Sequence, residues 1–228
     1  MLSVHRHDER GHAHYGWLNA RYSFSFAAWH DCRHMGISHL RVLNEDKVKP
    51  HSGFARHSHD NMEILTYVLA GAVSHEDSMG NQTTIRAGEC QLMSAGTGIS
   101  HSEMNRESST LHMLQIWLYP HSKNTTPRYQ QIHLTNDEPL QQIAAPEPMA
   151  NAMHIQQDAA IYRLKFKQDQ QIILPRQYIN GYLHLIQGGG SVNQWQLATG
   201  DALKVEQHEA SLVFHALADG EALWFDLS

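Results

Sequence analysis

Residues 64 to 98 read ILTYVLAGAVSHEDSMGNQTTIRAGECQLMSAGTG, with two short apolar runs, Ile64 to Ala70 and Cys90 to Ser94, set between clusters of turn-forming residues. Neither run has the 3.6-residue rhythm or the length of a helix, so each reads as a strand. Asp77-Ser78-Met79-Gly80-Asn81 has the chemistry of a hairpin turn, and Ala87-Gly88-Glu89 and Gly96-Thr97-Gly98 supply further turns. Similar runs recur at Leu111 to Tyr119, Ile161 to Phe166, Tyr182 to Ile186, Ala210 to Phe214 and Ala222 to Leu227. The spacing predicts an all-β chain of antiparallel barrels or jelly rolls.

Between about residues 121 and 160 the pattern degrades into HSKNTTPRYQQ and NDEPLQQIAAPEPMANAM, and five of the seven prolines fall between Pro120 and Pro148. This stretch reads as a crossing between two β domains. The expected division is 1–130 for a first domain and 131–228 for a second.

The 228 residues suffice for two such domains, each with its own core. With 17 basic against 23 acidic side chains, a basic surface for nucleic acid is not expected. No apolar stretch approaches the roughly 18 residues of a membrane span. The first residues lack the apolar core of a secretory leader, and two cysteines give no disulfide framework, so a reducing, cytoplasmic setting is expected.

Histidine is the exception in this composition, with 19 residues, 14 of them within the first 121 positions. Imidazole is the commonest transition-metal ligand and titrates near neutrality, so metal binding and acid/base chemistry are the classes to test. In GFARHSHDNME, residues 53 to 63, His57, His59 and Glu63 stand at even spacings, which on one continuous strand would turn all three to one side. His101-Ser102-Glu103 repeats the spacing after a glycine-rich turn. Two hairpins could thus surround one divalent ion, with the carboxylate drawn from either segment. At this histidine density chance gives roughly 1.6 His-x-His pairs. The chain has three, so the pair alone is weak and the convergence of the two segments carries the reading.

Several longer motifs resemble the pirin family of the cupin superfamily. They are Arg10-Gly-His-Ala-His-Tyr-Gly-Trp17, Phe24-Ser-Phe26, Leu40-Arg-Val-Leu-Asn44, His57-x-His59-x-x-Met62-Glu-Ile-Leu-Thr-Tyr-Val68, Asp77-Ser-Met-Gly80, Met93-Ser-Ala-Gly-Thr-Gly98, His101-Ser-Glu103 and Gln115-Ile-Trp117. The resemblance spans about residues 5 to 130; the remainder is similar to the family's second cupin domain in rhythm and closing strand, with no ligand set visible.

The resemblance implies a bicupin whose first barrel holds one divalent transition metal, usually iron, through His57, His59, His101 and Glu103. Copper, nickel, manganese or zinc would also suit these donors. Cupins often take the carboxylate from the first motif, which would be Glu63; strand parity leaves this open and the pirin-like pattern points to Glu103. The family includes enzymes that cleave flavonols such as quercetin with dioxygen, which would make Glu103 the base for the 3-hydroxyl proton. It also includes iron-responsive regulators that act through a protein partner.

Other residues read more plainly. Asn105 either orients a ligand or finishes a turn, and His12 and His14 read as surface or packing residues. Met62, Met93, Met104, Met113, Phe54 and Ile64 line an apolar pocket or belong to the core, Cys32 and Cys90 read as inert buried thiols, and Arg10, Arg41 and Arg56 pin loops or attract an anion.

Overall fold

The computed structural model describes residues 1–135 and 138–228; Asn136 and Asp137, which belong to the expected crossing, lie outside the described residues. In chain order the strands are β1 (Leu2–His5), β2 (Gly11–His14), β3 (Leu18–Tyr22), β4 (Leu40–Val48), β5 (Ser52–His59), β6 (Glu63–Ala70), β7 (Ala72–Asp77), β8 (Gln82–Arg86), β9 (Glu89–Ser94) and β10 (Ile99–Asn105). They continue as β11 (Leu111–Leu118), β12 (Arg128–His133), β13 (Leu140–Ala145), β14 (Met153–His154), β15 (Ala159–Phe166), β16 (Gln171–Ile173), β17 (Asn180–Val192), β18 (Trp195–Ala198), β19 (Ala202–Val205) and β20 (Val213–Leu227). The chain is all-β as expected, and among the described residues no helix is long and apolar enough to cross a membrane.

The first barrel closes a seven-stranded sheet, ordered β12-β9-β6-β11-β4-β3-β2, over a four-stranded sheet, ordered β5-β10-β7-β8. Alternation decides what each face of the larger sheet touches. On β6, Thr66 and Val68 point into the barrel, whereas Leu65 and Tyr67 point out, and β11 repeats this with Met113 and Gln115 against Leu114 and Ile116. The inward apolar residues Val68 and Met113 meet Val73 and Ile85 of the smaller sheet. The outward ones pack against Ala144, Ile161, Tyr182 and Phe225 of the second barrel in a shared core. A sheet covered on both faces explains why Ile64 to Ala70 reads as an unbroken apolar run. Fully burying each large apolar side chain contributes about 1.5–3 kcal/mol.

The second barrel is a nine-stranded sheet, β1-β19-β17-β20-β15-β13-β14, with β16 beside β20 and β18 beside β17. It closes on its own core, where Phe166, Phe214 and Trp224 are buried. Strand β1 comes from the chain's beginning yet pairs with β19, Leu2 opposite Val205. The expected crossing holds three strands: β12 extends the first sheet beside β9, while β13 and β14 belong to the second. Their polar edge residues and flanking prolines hid them. Ala210 to Phe214 and Ala222 to Leu227 do not form two strands; from Val213 onward they are parts of the 15-residue β20, which runs along β17 through three register shifts.

Two histidines are buried where the barrels meet: His5 stacks on His34 with ring centroids 3.7 Å apart, and His184 lies on β17. Burial, with Arg10 nearby, lowers both from 6.5 to about 3. The unfolded chain therefore takes up their protons before the fold does, and their contribution to stability declines as pH falls below about 6.5. Asp46, raised by burial to about 8, works the opposite way, so a difference measurement isolates the histidines. Urea midpoints at pH 7 and pH 5 should fall less in His184→Gln than in the parent; equal falls would mean that His184 does not stay neutral in the fold.

Candidate metal centre and cavity

Strands β5 and β10 pair so that His101 lies directly across from His57, with Ile99 across from His59. The ring centroids of His57 and His101 are 4.5 Å apart, those of His57 and His59 4.8 Å, and those of His59 and His101 5.1 Å. Their nearest ring nitrogens all lie within 4.8 Å of one another. His57 and His59 of the first segment and His101 of the second thus come together. Since a carbonyl only accepts, the 2.8 Å contact of His57 Nδ1 with Ala55 O puts the proton on Nδ1 and leaves Nε2 as a free donor atom. His101 is almost wholly buried, and neither of its ring nitrogens has a partner. Burial, then His57 and His75, lowers it to about 3; burial, then His101 and His57, lowers His59 to about 4. Both rings are neutral at neutral pH, the form that binds cations.

Glu63 does not join this group. The extended segment ends at His59, Asn61 turns with φ of 48°, and Glu63 opens β6 in the other sheet. Even spacing lost its meaning there. Its buried carboxylate accepts from Ser94 Oγ at 2.9 Å and from the Gln156 backbone at 3.3 Å.

Glu103 lies on β10 with His75 of β7 opposite, and His75, His101 and Glu103 form a second convergent group within 4.8 Å. The sequence reading passed over His75. Its signal was the i, i+2 spacing to Asp77 of the hairpin turn: His75 Nε2 donates to Asp77 Oδ2 at 3.1 Å, leaving Nδ1 buried without a partner. Asp77 is itself fixed by Met79 N at 2.9 Å, Asn81 N at 3.0 Å and Asn81 Nδ2 at 2.8 Å, in a turn whose Gly80 sits at φ 93°.

The Glu103 carboxylate is held from the facing sheet. Thr66 Oγ1 donates to its Oε1 at 3.1 Å, Gln91 Nε2 donates to the same oxygen at 2.9 Å, and Gln115 Nε2 donates to Oε2. These donors are register neighbours on three strands, Gln115 opposite Thr66 and Thr66 opposite Gln91. Oε1 is filled, whereas Oε2 keeps an acceptor direction.

Beside the histidines opens a cavity of about 550 Å³, walled by Trp17, Phe26, Phe54 and Trp117, with Asn44, Asp46, Glu103 and Gln115 among its polar lining. Of the expected pocket residues only Phe54 takes part: Met62, Met93 and Ile64 form a separate cluster, and Met113 is core. The tryptophans and Phe26 stood inside the quoted motifs without being assigned a wall.

Asn105 finishes a turn, donating to the carbonyls of Val48 and Lys49 at 3.1 Å and of Ser109 at 2.8 Å. Arg10 pairs with Glu45, Arg41 donates to Ser25 O and Arg56 to Ser100 Oγ, so all three pin the chain. His12 and His14 are exposed, and Cys32 is exposed as well, against expectation, while burial pushes the Cys90 thiol up.

Residues 4–118 match the family model Pirin, and residues 142–227 match that of the quercetinase C-terminal cupin domain. The quercetin 2,3-dioxygenase of Escherichia coli (strain K12) is 40% identical over 232 residues, covering 100% of this chain and 99% of that protein. A pirin-like protein of Caulobacter vibrioides is 43% identical over 129 residues, 57% of this chain and 56% of its own. The crystal structure of the bacterial pirin YhhW in complex with nickel(II), from Escherichia coli, superposes with a TM-score of 0.95 at 39% identity, covering 100% of this chain and 99% of that one.

Gln91→Met removes one of the donors on Glu103 while keeping its volume. The loss should cost about 1–3 kcal/mol, read as a lower denaturant midpoint; an unchanged midpoint would mean that Gln91 does not hold the carboxylate.

Proposed function

The chain belongs to the pirin family of the cupin superfamily, and from that premise we propose that it is a metal-dependent dioxygenase acting on flavonols, with His57, His59, His101 and Glu103 as the ligands of one divalent transition ion. The observation that carries this reading is the cavity of about 550 Å³ that reaches His57, His59 and Glu103 between aromatic walls. Its size falls in the range of roughly 300–1,000 Å³ typical of small-molecule sites. A purely regulatory ion site needs no such space, which supports catalysis over a role exerted through a partner protein.

The donor set fits an ion. His101 has two buried, unpartnered nitrogens, His57 keeps Nε2 free, and Glu103 keeps an acceptor direction on Oε2. When bound, the ion supplies a Lewis-acidic centre that lowers the pKa of a flavonol 3-hydroxyl and brings it together with dioxygen. The protein's own part is orientation and proton handling. Trp17, Phe26, Phe54 and Trp117 hold a flat ring system and exclude water. Glu103 has one free acceptor direction, on Oε2, so it takes the 3-hydroxyl proton in exchange for its hold on the ion, while the donors from Thr66, Gln91 and Gln115 keep the carboxylate aimed. Overall, both oxygen atoms of dioxygen enter the products, a ring-opened ester and carbon monoxide.

The test is an oxygen-electrode assay with quercetin on protein reconstituted separately with iron(II) and nickel(II), with metal content measured alongside. About one ion per chain, lost in His101→Ala, is expected. Oxygen uptake should match flavonol loss in the parent and collapse in Glu103→Gln. A loaded protein that consumes neither oxygen nor quercetin would overturn the catalytic reading, and loading unaffected by His101→Ala would overturn the ligand set.

A further inference from the structure

The inward face of the seven-stranded sheet carries a row of register neighbours: Tyr22, Asn44, Gln115, Thr66 and Gln91, one from each of five adjacent strands. Gln115, Thr66 and Gln91 all donate to Glu103. Asn44 does not, and its Oδ1 is buried without a partner. Two residues along β4 on the same face, Asp46 is 3% exposed and lines the same cavity. Its carboxyl group has no hydrogen-bond or ion-pair partner among the described residues; the nearby Arg10 is engaged by Glu45.

No described protein group bonds the Asp46 carboxyl, and its oxygens are not sealed in the core but open on the cavity. The other buried carboxylates of this barrel are satisfied: Glu103 has three donors, Glu63 two and Asp77 four. Asp46 instead faces open space between aromatic walls, with Asn44 beside it in the lining. We propose that Asn44 and Asp46 form a second polar anchor of the cavity, one that takes a phenolic hydroxyl of a polyhydroxylated aromatic ligand and so selects among flavonols. Asn44 Oδ1 has almost no accessible surface, so the hydroxyl contact is made by Asp46, with the Asn44 amide beside it. Asp46 answers a phenol in either ionisation state, accepting as a carboxylate or donating as an acid. This deepens the flavonol reading and rests on it: one end of the ligand goes to the histidines and Glu103, and another hydroxyl goes to the anchor.

The experiment measures binding separately from turnover. Tryptophan fluorescence, reporting from Trp17 and Trp117 in the cavity wall, is titrated under argon in metal-loaded protein with quercetin and with 3-hydroxyflavone, which carries only the 3-hydroxyl. The parent should bind quercetin about tenfold more tightly, as a site built for a hydroxyl discriminates against its absence. Asp46→Ala should erase that preference by weakening quercetin alone, with metal content kept and the melting temperature not lowered, since an unpartnered carboxyl has been removed. Asn44→Ala should act in the same direction and serves if Asp46→Ala does not fold. Equal weakening of both ligands, no weakening of either, or loss of metal would overturn the anchor. Preference for quercetin without oxygen consumption would overturn the dioxygenase reading and leave the anchor standing; no flavonol binding by the parent would overturn both.

Discussion

A carboxylate inside a β-barrel needs donors or water, and the first barrel is organised around supplying donors to Glu103. Its donors come from the opposing sheet, on three strands whose register aligns Gln115, Thr66 and Gln91. A slip of one residue in any of these strands would turn its polar side chain outward into the apolar core. Register, carboxylate and site geometry are therefore one constraint. It also explains a sheet that is apolar on its outer face and split between apolar and polar on its inner face.

The second barrel serves this arrangement without contributing a ligand group among the described residues. Its sheet covers the outer face of the first barrel's larger sheet, so strands that must hold a register to support Glu103 are clamped from behind by Ile161, Tyr182 and Phe225. The N-terminal strand, paired with β19, ties the two barrels together from the other direction. Burial inside the first barrel, together with the neighbouring imidazoles, keeps His59 and His101 neutral and able to bind a cation.

Much of this was legible in the sequence because it depends on short-range pattern. Alternation and turn chemistry gave the all-β class and the Asp77 to Asn81 hairpin, and the longer motifs named the family. The failures came where meaning depended on pairing. Glu63 shares the parity of His57 and His59, yet parity holds only along an unbroken strand, and the turn at Asn61 breaks it. His75 carried only the i, i+2 spacing to Asp77 as a signal, and its relevance arises from lying opposite Glu103 of β10. Asn44 and Asp46 fell within or beside a quoted motif, but only register and a missing partner make them unusual. Strand β12 was hidden because edge strands carry few apolar residues, and the 15-residue β20 because its middle is exposed.

Two overlapping groups, His57, His59 and His101, and His75, His101 and Glu103, share His101, and the proposed ion takes the three imidazoles of the first with Glu103 while His75 stays bonded to Asp77. Anomalous diffraction from crystals of nickel-loaded protein tests this most directly. The account predicts one peak with His57, His59, His101 and Glu103 at about 2.0–2.2 Å and His75 still hydrogen-bonded to Asp77. A peak held by His75, His101 and Glu103, with His57 and His59 left unbound, would contradict it.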